Sequence, residues 1–201
     1  LPVSIAQNEI PKILPDFLKT YPEIKVQLLV SNRRVDIINE GIDIALRVRA
    51  NLDDDPSLVL RKFENIEQHL FASQAYLNEY GMLKQPEDLT EHRILSMVDD
   101  HLDQHLILHD DQNFQKKIKI NPVVMGSDLI MLGKMASQNC GIALLPDTIA
   151  YDYIKSGQLV RVLPEWKAPH GIFHAVYASR RGLLPAVRVF IDYLVEHLTK
   201  R

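Results

Sequence analysis

Hydrophobic and polar residues change their spacing several times within the first fifty positions of the chain. Two short apolar runs have the length and alternation of strands. Between them, apolar residues recur three or four positions apart from Ile10 to Tyr21, as on one face of a helix. Asn8 is placed to cap this helix, and Pro22 ends it. The predicted elements are strands at 1–6, 25–30 and 42–47, a helix at 10–21, and a short helix at 35–40 that stops at Gly41.

The rest of the chain contains the same two periods in a less regular order. After an irregular middle, a second strand–helix–strand unit begins near Val123, and an amphipathic helix closes the sequence. Two crossover units of this kind are typical of an α/β protein with mostly parallel sheets, and their separation predicts two lobes. The predicted strands are 58–63, 67–72, 93–97, 114–120, 123–125, 141–145, 159–163 and 173–177, and the predicted helices are 74–81, 127–139, 146–157 and 185–198.

The composition is that of a folded globular protein and narrows the function classes. Of the 201 residues, 46% are hydrophobic and 24% are charged, which excludes a disordered or fibrous chain. The net charge of -3 argues against binding of a nucleic-acid backbone by this chain, and no apolar run is long enough to cross a bilayer. Because Cys140 has no cysteine partner, we expect a reducing, cytoplasmic setting. The start at Leu1, in strand-like sequence, indicates a fragment of a longer protein.

Motifs for catalysis are absent from the sequence. It contains no G-x-S-x-G nucleophile elbow, no glycine-rich phosphate loop and no paired zinc-binding cysteines. Carboxylates that could act as acid and base are present, but their spacing singles out no pair. We therefore expect neither an enzyme nor a bound cofactor.

One histidine cluster permits a metal-binding interpretation. His101, His105 and His109 lie four positions apart and would share one face of a helix. However, the apolar pair at 107–108 favours a strand, and the Asp-Asp-Gln-Asn sequence at 110–113 favours a turn. A solvated loop is therefore preferred over a metal site.

Places where a predicted strand leads into a helix are candidate anion sites. Helix N-termini present free backbone N–H groups there, and α/β proteins bind ligands at this edge of the sheet. Two such places are 6–8 and 126–128, where Ser127 is placed to cap the second helix. Residues 31–32 follow the second predicted strand, and Arg47, at the end of the third, could hold a carboxylate through two hydrogen bonds. The structural alternative for each is a helix cap or a surface charge.

Several ordered motifs resemble those of LysR-type transcriptional regulators. Residues 13–22 with 26–28 are similar to the family's L-L-P-x-F-L-x-x-Y-P-x-V-x-L stretch, and 34–47 resemble its V-D-L-V-x-E-G-x-D-L-A-I-R stretch. The resemblance covers nearly the whole chain. Further similar segments follow in the family's order at 72–77, 86–89, 141–146 and 189–194.

The resemblance implies the effector-binding domain of such a regulator, with the type 2 periplasmic-binding-protein fold. This is an α/β fold of two Rossmann-like lobes joined by a two-strand hinge. Lobe I would comprise 1–72 plus 175–201, and lobe II would comprise 73–174. Family members carry an N-terminal winged helix-turn-helix that this sequence does not include. The resemblance further implies a homodimer or homotetramer, and contacts with DNA and RNA polymerase that belong to the full-length protein.

Family effectors are small, often anionic metabolites that bind between the lobes and modulate DNA binding and transcription. The resemblance implies no metal and no cofactor. The sequence differs from many family members at two places: residues 5–6 are Ile-Ala where relatives have Ala-Pro, and residues 106–108 are Leu-Ile-Leu where relatives have a Trp. An alternative with the same fold is the solute-binding protein of a transporter, which would carry an export leader. Carried over by position, the effector contacts would be Ala6, Gln7, Asn8, Ser31, Asn32, Arg47, Met97, Ser127, Leu145 and Pro146.

Overall fold

The computed structural model describes residues 1–33, 35–52, 55–97, 104–178 and 184–199. Within these ranges the α-helices are α1 (Val3–Asn8), α2 (Ile10–Thr20), α3 (Gln74–Tyr80), α4 (Leu129–Ser137), α5 (Asp147–Lys155) and α6 (Pro185–Leu198), and a 3-10 helix covers Pro86–Glu91. The strands are β1 (Ala45–Arg49), β2 (Leu58–Ile66), β3 (Gln68–Ala72), β4 (Ile94–Met97), β5 (His105–His109), β6 (Gln115–Lys119), β7 (Pro122–Gly126), β8 (Ile142–Pro146), β9 (Val160–Val162) and β10 (Gly171–Ala178).

The chain divides into two compact units. Unit 1 contains Leu1–Asn65 and Gly171–Arg201, and unit 2 contains Ile66–His170. The unit boundaries, after residues 65 and 170, lie a few residues before the lobe boundaries expected from the sequence, after residues 72 and 174. The lobe boundaries stay a prediction. Both crossings between the units occur at strands, at the junction of β2 and β3 and at the start of β10.

Unit 1 contains a three-stranded sheet in the order β1-β10-β2 and the helices α1, α2 and α6. Strands β1 and β10 run antiparallel, with Arg47 opposite His174. Helices α2 and α6 are the two amphipathic helices that the sequence predicts, and both predictions are confirmed. Phe17 of α2 is fully buried, with its ring centroid 4.8 Å from that of Phe190 and 5.0 Å from that of Tyr193 in α6. These aromatic contacts pack α2 against α6.

The strand expected at 1–6 is wrong, because α1 begins at Val3. Of these six residues only Leu1 pairs in a strand-like way. Its terminal ammonium group donates to the Leu29 carbonyl at 2.8 Å, and its carbonyl accepts from the Ser31 N–H at 2.9 Å. Pro2 then cannot donate and precedes a helical turn, in which the Ala6 N–H donates to the Pro2 carbonyl. Consequently, the loop expected at 6–8 lies inside α1, and Asn8 is its last residue and does not cap α2.

Two further local predictions in unit 1 are wrong. Residues 25–30 have no regular secondary structure and form no ladder in the described structure, so they are not a strand. Residues 37–41 form turns where a helix over 35–40 was expected, because the Asp36 carboxylate accepts the N–H groups of Ile38 and Asn39. Such side-chain bonds compete with helical ones. Gly41 ends the segment at φ +66°, a conformation that favours glycine.

Unit 2 contains a five-stranded sheet in the order β7-β4-β8-β3-β9. Strand β4 runs parallel to β7 and β8, whereas β3 runs antiparallel to β8 and β9, so the sheet is mixed where mostly parallel pairing was expected. One apolar cluster, which includes Leu95 and Leu132, joins the sheet to α4. Another cluster, which includes Leu70 and Leu108, joins it to the hairpin of β5 and β6.

Several predictions in unit 2 are confirmed. Helix α3 begins where the Ser73 hydroxyl accepts the Tyr76 N–H at 3.1 Å, and it ends at Gly81, as the sequence indicates. The turn predicted at 110–113 is present, with the Asp110 carboxylate accepting the N–H groups of Gln112 and Phe114. The described helices include none that is both long and apolar enough to cross a membrane.

Candidate functional site

A narrow slit in unit 1 brings several predicted site residues together. Its volume is about 30 Å³, which is about the room that one water molecule takes in the liquid. Ser31, Asn32 and Arg47, all predicted effector contacts, lie in its wall beside two further arginines, Arg33 and Arg49. The slit is therefore rich in cationic and hydrogen-bonding groups. Its lining residues are Leu1, Pro2, Ser31, Asn32, Arg33, Val35, Ala45, Leu46, Arg47 and Arg49.

Arg47 is the most deeply placed charge of the slit. Only 7% of the residue is exposed, and its guanidinium donates to the Val35 carbonyl at 3.0 Å. The sequence suggested a strand end, whereas Arg47 is the central residue of β1. A buried guanidinium requires hydrogen-bond acceptors around it, and its fork of donors suits a carboxylate. This position makes Arg47 the strongest candidate for binding an anionic group.

The neighbouring loop is fixed by its own polar side chains. The Asn32 side-chain oxygen accepts the Val3 N–H at 3.0 Å, so it satisfies one of the free donors at the start of α1. The Ser31 hydroxyl accepts the Arg33 N–H at 3.3 Å. Both predicted residues thus position the slit as well as line it.

Sequence reasoning missed the ion pair of Arg33 with Glu40. One arginine nitrogen donates to the Glu40 carboxylate at 2.9 Å and a second contacts its other oxygen, so the pair is bidentate. The hydrogen bonds from Arg33 hold the pKa of Glu40 below its usual range, and the same contact raises the pKa of Arg33. No local pattern of residues signals this pair, because the turn at 37–41 brings the two side chains together across seven positions.

A larger cavity adjoins the slit in unit 1 and shares Val35 and Arg47 with it. Its volume of about 340 Å³ lies within the range of small-molecule pockets. Four of its seven lining residues are apolar, and Arg47, Asp36 and Asp55 add charged groups to the wall. The pKa of each carboxylate is lowered by hydrogen bonds that it accepts. The main contribution comes from Asn39 for Asp36 and from Ser57 for Asp55. The lining residues are Val35, Asp36, Ile37, Ile38, Arg47, Asp55 and Leu58.

The predicted site residues of unit 2 lie at the ends of β4, β7 and β8. Met97 ends β4 opposite Gly126 and is partly exposed, and Ser127 follows at the start of the connection to α4. The cap of α4 is Asp128, whose carboxylate accepts the Ile130 N–H at 2.9 Å, so the expected Ser127 cap is wrong. Because Asp128 already places a negative charge at this helix end, the end is a poor site for a second anion.

The remaining predicted contacts are placed less favourably. Leu145 is fully buried in the apolar cluster that joins α4 to the sheet, and Pro146 is buried beside it. Their side chains are therefore committed to packing. Ala6, Gln7 and Asn8 lie in α1, where Gln7 is the exposed one.

The histidine cluster is strand-like where it is described. His105 and His109 are the end residues of β5, so their spacing is not that of a helix face, and His101 lies outside the described residues. Among the residues that the structure does describe, no group of three or more metal-ligating side chains comes together. The strand expected at 107–108 is confirmed, but it already begins at His105 and buries Leu106 and Leu108, so the preferred solvated loop is wrong for 105–109.

Comparison with known proteins gives a consistent set of relatives. Residues 1–199 match the family described as the LysR substrate binding domain. The chain is 32% identical over 98% of its length to an HTH-type transcriptional regulator of Xanthomonas campestris, and 32% identical over 90% to the HTH-type transcriptional regulator CrgA of Neisseria meningitidis. It spans 58% and 60% of the lengths of these two relatives.

Solved structures with the same fold are also regulatory domains. The regulatory domain of AphB from Vibrio vulnificus is 28% identical with a TM-score of 0.80, covering 97% of this chain and 95% of that one. The regulatory domain of CrgA from Neisseria meningitidis, a LysR-type transcriptional regulator, is 29% identical with a TM-score of 0.82, covering 98% and 95%. The similarity thus extends over whole domains.

Proposed function

Because the chain belongs to the LysR substrate-binding-domain family, we propose that it senses a small anionic metabolite whose acidic group binds at Arg47. The chain is an effector-binding domain of a transcriptional regulator with a two-lobed α/β fold, and its relatives are regulators, not enzymes. The solute-binding alternative is not favoured, since the matched relatives regulate transcription.

The observation that supports an anionic effector is the convergence of predicted contacts in unit 1. Sequence position and family resemblance predict Ser31, Asn32 and Arg47 as contacts, and all three line one slit. Arg33 and Arg49 add positive charge to the same wall. A carboxylate, with two oxygens for a guanidinium fork, is the chemical group that these side chains would recognise best. The adjoining cavity of about 340 Å³ offers room for the apolar body of such an acid.

The wider role rests on the family. We propose that the full-length protein binds DNA through an N-terminal helix-turn-helix, forms a homodimer or homotetramer, contacts RNA polymerase and works in the cytoplasm. The effector would act by binding one arrangement of the protein better than another, and it can shift the balance only by that difference in affinity. Effector contacts at Met97 and Ser127 stay predictions. It also stays a prediction that one ligand binds these residues together with the contacts of unit 1.

A thermal-shift screen of small carboxylates and aromatic acids, with sodium benzoate as the reference probe, tests the anion site. We expect at least one acid to raise the melting temperature of the wild-type chain. Arg47→Gln should weaken that binding about tenfold or more, because a charge-assisted bidentate contact is lost. The readout is the apparent dissociation constant fitted from the shift over a series of acid concentrations, with the melting temperature of each variant without acid as its own reference.

Two further arginine variants complete the test. Arg49→Gln changes an exposed arginine of the slit and should weaken acid binding less than Arg47→Gln. Arg61→Gln removes an exposed arginine from β2, outside the slit, and should leave the shift unchanged. Acid-induced shifts that persist in both Arg47→Gln and Arg49→Gln would show that the anion binds elsewhere.

A further inference from the structure

The Arg33–Glu40 pair places a carboxylate of the protein on a cation of the candidate site. Arg33 lines the slit, and the Glu40 carboxylate holds it through two contacts, one of them at 2.9 Å. This is the geometry with which a carboxylic acid from solution would bind the same guanidinium. The side chains are 58% and 31% exposed, so an incoming anion can reach the pair through solvent.

Glu40 also closes the turn beside the larger cavity. Its carboxylate accepts the Asp36 N–H at 3.0 Å, and its own N–H donates to the Asp36 carbonyl at 3.0 Å. Residues Asp36, Ile37 and Ile38 of this turn form part of the cavity wall. One carboxylate therefore links the cation of the slit to the wall of the cavity.

We propose that Glu40 is an internal competitor for the anionic group of the effector, so that an acid binding in the slit takes Arg33 from Glu40. This proposal rests on the anion site at Arg47 described above. Both carboxylates would use the Arg33 guanidinium as their donor, and two negative charges held at one guanidinium repel each other. Glu40 thus sets the affinity of the site, and displacement of its carboxylate from Arg33 loosens the turn that forms the cavity wall.

The test compares the benzoate concentration that raises the melting temperature by the same fixed amount in wild type and in Glu40→Gln, at constant ionic strength with chloride as the balancing anion. Removing the competing charge should lower this concentration about two- to fivefold, the range expected for an exposed ion pair. Glu87→Gln is the matched control, because Glu87 makes a similar exposed ion pair with Lys116, at 2.7 Å, in unit 2. This control should leave the benzoate concentration unchanged.

Double variants separate competition from a purely structural role. Arg33→Gln should weaken benzoate binding, and adding Glu40→Gln to it should give no gain, because the competed cation is gone. A Glu40→Gln chain that binds benzoate no more tightly than wild type would overturn the proposal, as would an equal gain in the Arg33→Gln background.

The two proposals fail in distinguishable ways. If Arg47→Gln abolishes the benzoate shift while Glu40→Gln needs the same benzoate concentration as wild type, the anion site stands and internal competition is wrong. If neither wild type nor Glu40→Gln responds to benzoate or to any other acid of the screen, the anion site and the competitor role are both overturned. A response that appears only in Glu40→Gln supports the competitor role directly.

Discussion

At the scale of single residues, the hydroxyl of Tyr76 shows how one buried group can make stability depend on pH. It accepts the Arg93 N–H at 2.9 Å and lies 3.1 Å from His92 Nδ1. The Tyr76 hydroxyl can donate to His92 Nδ1 or accept from it, so a neutral His92 ring keeps this contact in either tautomer. Burial lowers the pKa of His92 below its ordinary value of 6.5, which agrees with a neutral ring.

The sign of the resulting pH dependence follows from this lowered pKa. The unfolded chain takes up a proton at His92 more readily than the folded chain, so the stabilisation is complete above pH 6.5 and is lost as the pH falls through the folded pKa. We expect the free energy of unfolding in urea to fall less between pH 7.5 and 5.5 in His92→Gln than in wild type. Equal losses in the two proteins would contradict this account.

At the scale of elements, α4 distinguishes the cap that the sequence suggested from the cap that the structure contains. Asp128, not Ser127, accepts the Ile130 N–H. Asp128→Ala should therefore cost about 0.5–2 kcal/mol of stability, as loss of a helix cap does, whereas Ser127→Ala should cost markedly less. Urea unfolding of the two variants measures the difference. A larger loss for Ser127→Ala would restore the original assignment of the cap.

The predictions of helices are confirmed where a long run of residues carries one continuous amphipathic face. Helix α2 carries Ile10, Ile13 and Phe17 on one buried stripe, and its periodicity alone identified it. The predictions for short segments are wrong because side-chain hydrogen bonds and a proline determine the backbone conformation there. Asp36 turned the expected helix into turns, and Pro2 turned the expected strand into the start of α1.

At the scale of the whole molecule, charge predicts how the chain behaves toward nucleic acid. A net charge of -3 supplies no excess of phosphate-neutralising side chains. In an electrophoretic mobility assay at physiological salt, we expect no sequence-specific shift from this chain with promoter DNA. A protein extended by the N-terminal helix-turn-helix that we propose should shift the same DNA. A sequence-specific complex between DNA and these 201 residues alone would contradict the expectation that this chain does not bind DNA by itself.

The sequence by itself determined the long amphipathic helices, the two-lobed α/β class, the family and the residue types suited to an anion. These properties depend on periodicity and ordered motifs, which are local in the chain. Only the tertiary structure decided that Arg47 is buried in the middle of β1, that Arg33 is held by Glu40, and that Leu145 belongs to the core. Such facts depend on strand register and on turns that join distant positions, and no local pattern of residues encodes them.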